Sequence, residues 1–560
     1  MDTKTYDDKT VVKQVHSDSS VEDGETISMN AGSGHLQRKL NGGQVQLYAI
    51  GAAIGTSVFV AMGSYLPTGG PAGLLLAYVV WSIVCYAINE TYAEMVCYAP
   101  VPAPFIRFAS EWVDESLGFA VSWAFLLSSI LCIPFEVTAF QRLLEYWTDK
   151  LPVYATVLII MVFYAFSNCI SVRYFGTIEK WLATLKVFLI FFLFAFVFVT
   201  MLGGNPLGDR YGFRYWNNPG PFADYLEEGT TGKFLGFLAC LTYATFTICG
   251  FEYLSLVAAE TKTPRSILPV AYSSFKFRLL FFFIGAAIAM GVCVPYNDPT
   301  LNAIVDGDVT GSGTSAASPY VIAMDGLHIS GLPHFINAII MTSVFSAGNG
   351  YVFAGSRTLY YMAESGRAPK IFTKTLRSGI PIYAVLACLS FTLLAMLNVN
   401  TGGKEVMGYF IDLVTTNQLL GYMSTCFTYI HFYAAMKKQG RSRDKLPYKG
   451  RFQPYSAYVG LFATTLMILL LGFNIFFPGE WSAKWFFLDY TFAIAFPVAI
   501  LVWKVVNKTT YHPLGTADLG LGGDVQRIDD YEAMVEPEPL TGLSGFIERL
   551  FGGQWQRKTK

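Results

Sequence analysis

Apolar runs long enough to cross a bilayer recur between residue 45 and residue 506, and no other feature limits the fold so strongly. A helix standing across the hydrocarbon needs about 20 predominantly apolar residues. Twelve such stretches are expected, at 45–65, 72–97, 117–145, 154–172, 179–202, 235–256, 277–295, 334–362, 381–398, 405–436, 455–477 and 485–506. Several exceed the minimum, which implies tilt or extension past the membrane. With 53% hydrophobic and only 14% charged residues, a soluble domain could not cover so much apolar surface. The expectation is an all-α polytopic membrane protein with twelve transmembrane helices.

Lys and Arg accumulate in cytosolic loops, so loop charge sets orientation. With a cytosolic N-terminus, the inner loops carry 16 of these residues and the outer loops six. Seven of the 16 share one loop: Lys437, Lys438, Arg441, Arg443, Lys445, Lys449 and Arg451. Both termini are thus expected in the cytosol. Residues 1–44 and 507–560 read as disordered cytosolic tails around a twelve-helix domain at 45–506. The first tail has no apolar h-region, so no cleaved signal peptide of the usual kind is expected. The stretch Leu543–Phe551 fits a short amphipathic helix at the membrane surface, or a tail with a few apolar residues.

Other classes find little support. A net charge of -1 offers no basic excess for nucleic acid. The nine cysteines fall within or at the ends of apolar segments, without a CxxC or a Cys/His cluster. Neither a disulfide framework nor a metal or other cofactor is expected. No HExxH, GxSxG or phosphate-cradling loop stands in a convincing position, which speaks against an enzyme.

Two spans are interrupted. "GAAIGTSVF", 51 to 59, puts Gly51, Gly55, Thr56 and Ser57 inside the first, and "TYATFTICGFEYL", 242 to 254, puts Thr245, Thr247, Cys249 and Gly250 inside the sixth. A break at membrane depth survives only where protein or a water-filled cavity satisfies the freed backbone. Breaks five spans apart imply two five-helix units of opposite orientation, with a binding site where the broken helices meet. A half-helix starting after Gly55 presents the N–H groups of Thr56 and Ser57 and the positive end of its dipole, which suit a carboxylate. Carbonyls near Ala52 and Ala53 suit an ammonium. Together they match an α-amino acid. A glycine-lined packing face also fits Gly51 and Gly55.

Ionisable residues in hydrocarbon are rare and usually functional. Three stand out: Glu136 in span three, Lys186 in span five and Glu252 in span six. Glu252, a second candidate for proton coupling, either faces the cavity or braces the unwound backbone. Lys186, about two turns from the expected cytosolic end of its helix, either couples transport to protons beside Asn349 of span eight or snorkels to the interface. Glu136 has a structural or gating role, or pairs with Arg142.

"LQRKLNGGQVQLYAIGAAIGTSVFV" resembles the opening of the fungal amino-acid permeases of the amino acid–polyamine–organocation superfamily. "IPFEVTA", "GFRYWNNPGPFADYL", "VAAETKTPRSI", "TSVFSAGNGYVFAGSRTLYYMAESGRAPKIF" and "LPYKGRFQPY" extend the resemblance over residues 36 to 506. Within the family the chain looks nearest to the dicarboxylic and general amino-acid permease branch. The resemblance implies a LeuT-type fold, a five-plus-five inverted repeat with two further helices, and proton-coupled symport of amino acids across the plasma membrane. It also implies that Thr56 and Ser57, beside Gly55, take the substrate carboxylate. The backbone of Ala53 and the span-six break at Phe246, Cys249 and Gly250 would take the amine, with Phe246 as an aromatic gate. Lys186 stands at the family's span-five lysine and Glu252 at the glutamate of its span-six motif. The partners implied are an amino acid, protons, the lipid bilayer and ubiquitin-ligase adaptors at the tails.

The chain departs from the family pattern in several places. Pro100, Val101, Pro102, Ala103 and Pro104 replace the usual Pro-x-Ser-Gly after span two. Ser122, Trp123 and Ala124 replace Gly-Trp-Asn in span three, Ser57 stands where Gly or Ala is common, and Phe251 where smaller residues or Pro are usual. Acidic amino acids therefore do not follow as the substrates. A non-transporting amino-acid sensor, or an exporter of an amino-acid-like metabolite, would use the same fold. An N-terminal tail of only about 44 residues favours transport over sensing.

Overall fold

The computed structural model describes residues 38–535 apart from 39, 54, 149, 171, 307–317, 377–378 and 402. Most of the N-terminal tail and the stretch Leu543–Phe551 lie outside the described residues. Among the described residues the fold is all helix, with no strand. Helices occupy each apolar stretch: α1 Gly42–Ala53, α2 Thr56–Phe59, α3 Leu66–Tyr98, α4 Glu115–Leu144, α5 Val153–Ile170, α6 Val172–Met201, α7 Gly229–Thr247, α8 Phe251–Leu256, α9 Pro264–Cys293, α10 Leu332–Glu364, α11 Ile382–Ser390, α12 Gly403–Lys438, α13 Tyr455–Leu470 and α14 Ala483–Asn507.

Among the described residues, seven helical segments are long and apolar enough to cross a membrane by length and composition. The remaining stretches fall short for local reasons. The first is cut between Ala53 and Thr56, and α5, α11 and α13 lie in shorter apolar helices. The 36-residue α12 carries a polar run, Thr415, Thr416, Asn417 and Gln418, at its middle. In α3, Gly70 takes φ +70° just before Pro71, so the regular helix starts where the sequence places residue 72.

Burial is arranged for lipid rather than water. Trp181, Phe188, Val505 and Val506 are more than half exposed, while Glu136, Lys186, Glu252 and Asn349 are buried between helices. Large exposed apolar faces are costly in water and neutral in hydrocarbon. Helix α1 lies against α6, α8, α9 and α10, and α4 packs on α10 and α12, so the first break is enclosed between helices.

The polar C-terminal segment is not the unstructured tail that its composition suggests. Residues 511–534 dock on one end of the bundle, finishing in α15, Asp524–Met534, which buries Val525 and Ile528. His512 N–H donates to Val113 O at 2.8 Å, Trp112 Nε1 to Asp518 O at 3.0 Å, and Arg107 meets Asp524 at 2.5 Å. Arg265 pairs with Asp529. Leu40, ahead of α1, hydrogen-bonds Glu260 and Lys262 at 2.9 and 3.0 Å, and the Arg38 guanidinium lies 5.1 Å from the Tyr531 ring centre. The two described ends therefore meet on the same face of the bundle.

Candidate functional site

Helix α1 ends at Ala53, Gly55 is extended at φ −140°, and α2 starts at Thr56. Glu136 of α4 fills the resulting gap. Its carboxylate accepts the Thr56 hydroxyl. The chain's own carboxylate thus sits where a substrate carboxylate was expected. Ser57 follows in α2 and is half-buried. The Arg142 pairing is not what forms: one Arg142 nitrogen instead lies 4.0 Å from Met407 Sδ.

Both glycines of the first break make room for carboxylates. A Cβ at Gly55 would lie 3.2 Å from Glu136 Oε1 and 3.2 Å from Ala347 Cβ. A Cβ at Gly51 would lie 2.6 Å from Glu179 Oε1 and 3.3 Å from Ala183 Cβ. The packing-face reading is therefore correct as far as close helix approach goes, but what approaches is charged.

Lys186 Nζ donates to Gly51 O at 2.9 Å, and the residue is 1% exposed. It does not snorkel. Helix α6 begins at Val172, well before the expected boundary, so Lys186 lies about 21 Å along the helix, beyond the reach of its own side chain to that end. Nor does Asn349 serve it as expected: Asn349 Oδ1 accepts from Asn168 Nδ2 of α5 at 2.8 Å. The α10 residue that meets the charged cluster is Ser346, whose hydroxyl lies 2.8 and 2.9 Å from the two oxygens of Glu179.

The second break runs from Thr247 to Phe251. Ile248 is extended, and Gly250 takes φ +116°, which side chains other than glycine's rarely tolerate. Glu252 braces the gap: Oε2 accepts the Gly250 N–H at 3.1 Å and Oε1 the Tyr422 hydroxyl at 3.0 Å. Gln418 Nε2 donates to Thr245 O at 3.3 Å, so a side chain of α12 takes up a carbonyl at the end of α7. Cys249 is buried beside the break.

Aromatic rings close one side of this region. Phe246 meets Phe135 edge-to-face at 5.2 Å, and beyond it Tyr65 stacks on Tyr243 at 4.1 Å. Cavities lie on the opposite side. One is lined by Leu40, Gln44, Tyr48, Glu179, Glu260 and Phe353. A second shares Tyr48 and Glu179 and reaches Gly51, Ser346 and Tyr351. Glu260 at the outer cavity lies 3.9 Å from Arg357. The two small cavities share Tyr48 and Glu179, and the region they occupy between Leu40 and Gly51 is termed the vestibule.

Glu179, Ser346 and Tyr422 escaped the sequence reading. Glu179 had one usable signal, its seven-residue spacing from Lys186, which puts both on one face of a helix.

The sequence model of the amino acid permease family matches residues 44–512. The general amino acid permease AGP2 of Saccharomyces cerevisiae is 42% identical over 459 residues, covering 81% of this chain and 76% of that protein. A proline-specific permease of Emericella nidulans is 37% identical over 85% of this chain and 88% of its own length. A dicarboxylic amino acid permease of Saccharomyces cerevisiae is 34% identical, over 85% and 78% respectively.

Proposed function

The chain belongs to the amino acid permease family, and on that premise we propose that it is a secondary transporter taking up amino acids across the plasma membrane with protons. In this reading the bundle crosses the membrane twelve times as two inverted five-helix units plus two, with both tails in the cytosol. An even number of crossings agrees with the meeting of Arg38 and Tyr531 at one face.

The observation that carries the proposal is the carboxylate held at Thr56. A site that binds Glu136 through the Thr56 hydroxyl at the start of α2 has the kind of donors that a substrate carboxylate needs. Two carboxylates cannot share those donors without strong repulsion. An arriving substrate therefore displaces Glu136, or is accepted only when Glu136 carries a proton, and the second event links substrate to proton. The substrate ammonium would lie by the carbonyls near Ala53 and the second break, with Phe246 above it. Lys186, hydrogen-bonded to Gly51 O, would hold α1 against α6 while charged and release it when neutral.

Uptake of a radiolabelled amino-acid panel, in yeast lacking its major permeases, tests this. At least one α-amino acid should be taken up, and decarboxylated amines and N-acetylated amino acids should compete poorly. Polyamines competing as well as the parent amino acid would remove the carboxylate assignment. Lys186→Met should abolish accumulation against a gradient.

A further inference from the structure

The vestibule holds a charged group that the transport reading does not use. Glu179 is 5% exposed, lines both cavities, and among the described residues receives its hydrogen bonds from Ser346 alone. A hydroxyl has one proton to give, so two carboxylate oxygens share one donor. A buried carboxylate so poorly compensated is costly to keep, and such residues at membrane depth usually mark ion pathways. The other vestibule carboxylate, Glu260, faces Arg357.

Glu179 and Lys186 converge on one residue. Lys186 Nζ holds the Gly51 carbonyl at 2.9 Å, while Glu179 Oε1 occupies the space beside Gly51, 2.6 Å from where a Cβ would stand. Seven residues apart on α6, they stack about 10 Å apart along the axis, Lys186 toward the breaks and Glu179 toward the vestibule. Lys186 lies in the field of both Glu179 and Glu136, and the pull of Glu179 is the larger. The order from the first break outward is thus carboxylate, ammonium, carboxylate, cavity.

We propose that Glu179 is the cytosolic station of the coupling proton, taking it from Lys186 and releasing it into the vestibule. This rests on the proton-coupled reading above. In the step, an N–H bond of the Lys186 ammonium breaks, leaving a neutral amine, and an O–H bond forms on Glu179, leaving a neutral acid. That acid then gives its proton to vestibule water and becomes a carboxylate again, and Lys186 is reprotonated from the outer side in the next cycle. A water in the cavity that Gly51 and Glu179 both line, or rotation of one side chain, completes the contact. The titratable and charged groups facing Glu179 are Tyr48 of α1, Tyr253 of α8, Tyr351 of α10, Glu260 with its partner Arg357, and Lys180 and Lys186 of its own helix.

The test uses full-length protein in proteoliposomes loaded with a pH-sensitive dye, and the radiolabelled amino acid that the uptake panel identifies. Glu179→Gln should lower substrate-driven proton flux and accumulation by roughly tenfold or more, while exchange of labelled for unlabelled substrate persists. Its uptake should no longer respond to internal pH, and Glu179→Asp should recover part of the proton flux. Ser346→Ala separates carrying from bracing: it keeps the carboxylate, so coupling should remain with a shifted internal-pH profile. Glu179→Gln with wild-type proton flux would overturn the proposal alone. So would Ser346→Ala reproducing every defect of Glu179→Gln, since the pair would then be a structural brace. Wild-type protein that moves substrate without protons would instead overturn the coupling reading, and this proposal with it.

Discussion

Gly51→Ala isolates the charged approach at the first break from helix packing. The added Cβ would start 2.6 Å from Glu179 Oε1, so the carboxylate must withdraw by roughly 0.8 Å to reach ordinary contact. Ala183 Cβ, 3.3 Å away, leaves little room for the helices to part instead. Such a withdrawal stretches the 2.8 and 2.9 Å contacts with Ser346 past hydrogen-bond length. A hydrogen bond to a charged group is worth about 1.5–3 kcal/mol. Alanine returns up to about 1 kcal/mol of helix propensity over glycine. The net loss of stability is therefore about 0.5–3 kcal/mol, too little to prevent folding. Because the displaced carboxylate remains present, transport should persist with a shifted internal-pH profile, as for Ser346→Ala. Thermal melting of the detergent-purified protein and accumulation against internal pH in proteoliposomes measure the two effects. Gly43→Ala serves as the control, since its Cβ would meet only Asn41 Oδ1, at 3.7 Å. Gly51→Ala with a wild-type pH response would refute the reasoning and leave Gly51 a packing residue.

Three other expectations follow from named contacts. Gly250→Ala forces a side chain into φ +116°, costing about 1–2 kcal/mol and misplacing the N–H that Glu252 accepts; substrate affinity in a binding assay should fall together with melting temperature. Arg443→Ala leaves Glu94 buried without the paired contacts at 2.7 and 2.6 Å, a loss of about 3–5 kcal/mol that should appear as protease sensitivity of the 439–451 loop. Asp114 caps α4; burial pushes its carboxyl up, but bonds from Lys504, Ser116 and Thr509 outweigh that and hold it at about 2. A carboxyl held low stabilises the fold above its unfolded value near 4 and loses that contribution as pH falls through about 2. Asp114→Asn should thus melt lower than wild type at pH 7, with the gap closing between about pH 4 and pH 2.

Local signals were legible in the sequence, and long-range pairings were not. Glycine with Thr or Ser inside an apolar run marks a break wherever it occurs, so Gly55 and Gly250 stood out. Which carboxylate would turn toward Thr56 was hidden, because Glu136 lies 80 residues away and no periodicity connects them. Lys186 was recognised but placed too near the interface, since hydropathy starts the helix at 179 while hydrogen bonding carries it back to Val172. The same misplaced boundary made Glu179 look interfacial. At the C-terminus, composition suggested a tail because the order there comes from docking: Val525 and Ile528 are buried against the bundle, and Asp524 and Asp529 find their arginines, Arg107 and Arg265, on helices far away in sequence.

The central claim is that the two breaks form an amino-acid site coupled to protons. Its most direct test is the accumulation ratio of the panel-identified amino acid in proteoliposomes containing only this protein, with the outside acid and the inside neutral. The account predicts accumulation well above the external concentration, collapsing toward unity on addition of a proton ionophore. Saturable binding of the same amino acid with no accumulation under any pH gradient would contradict it and identify a sensor built on a permease fold.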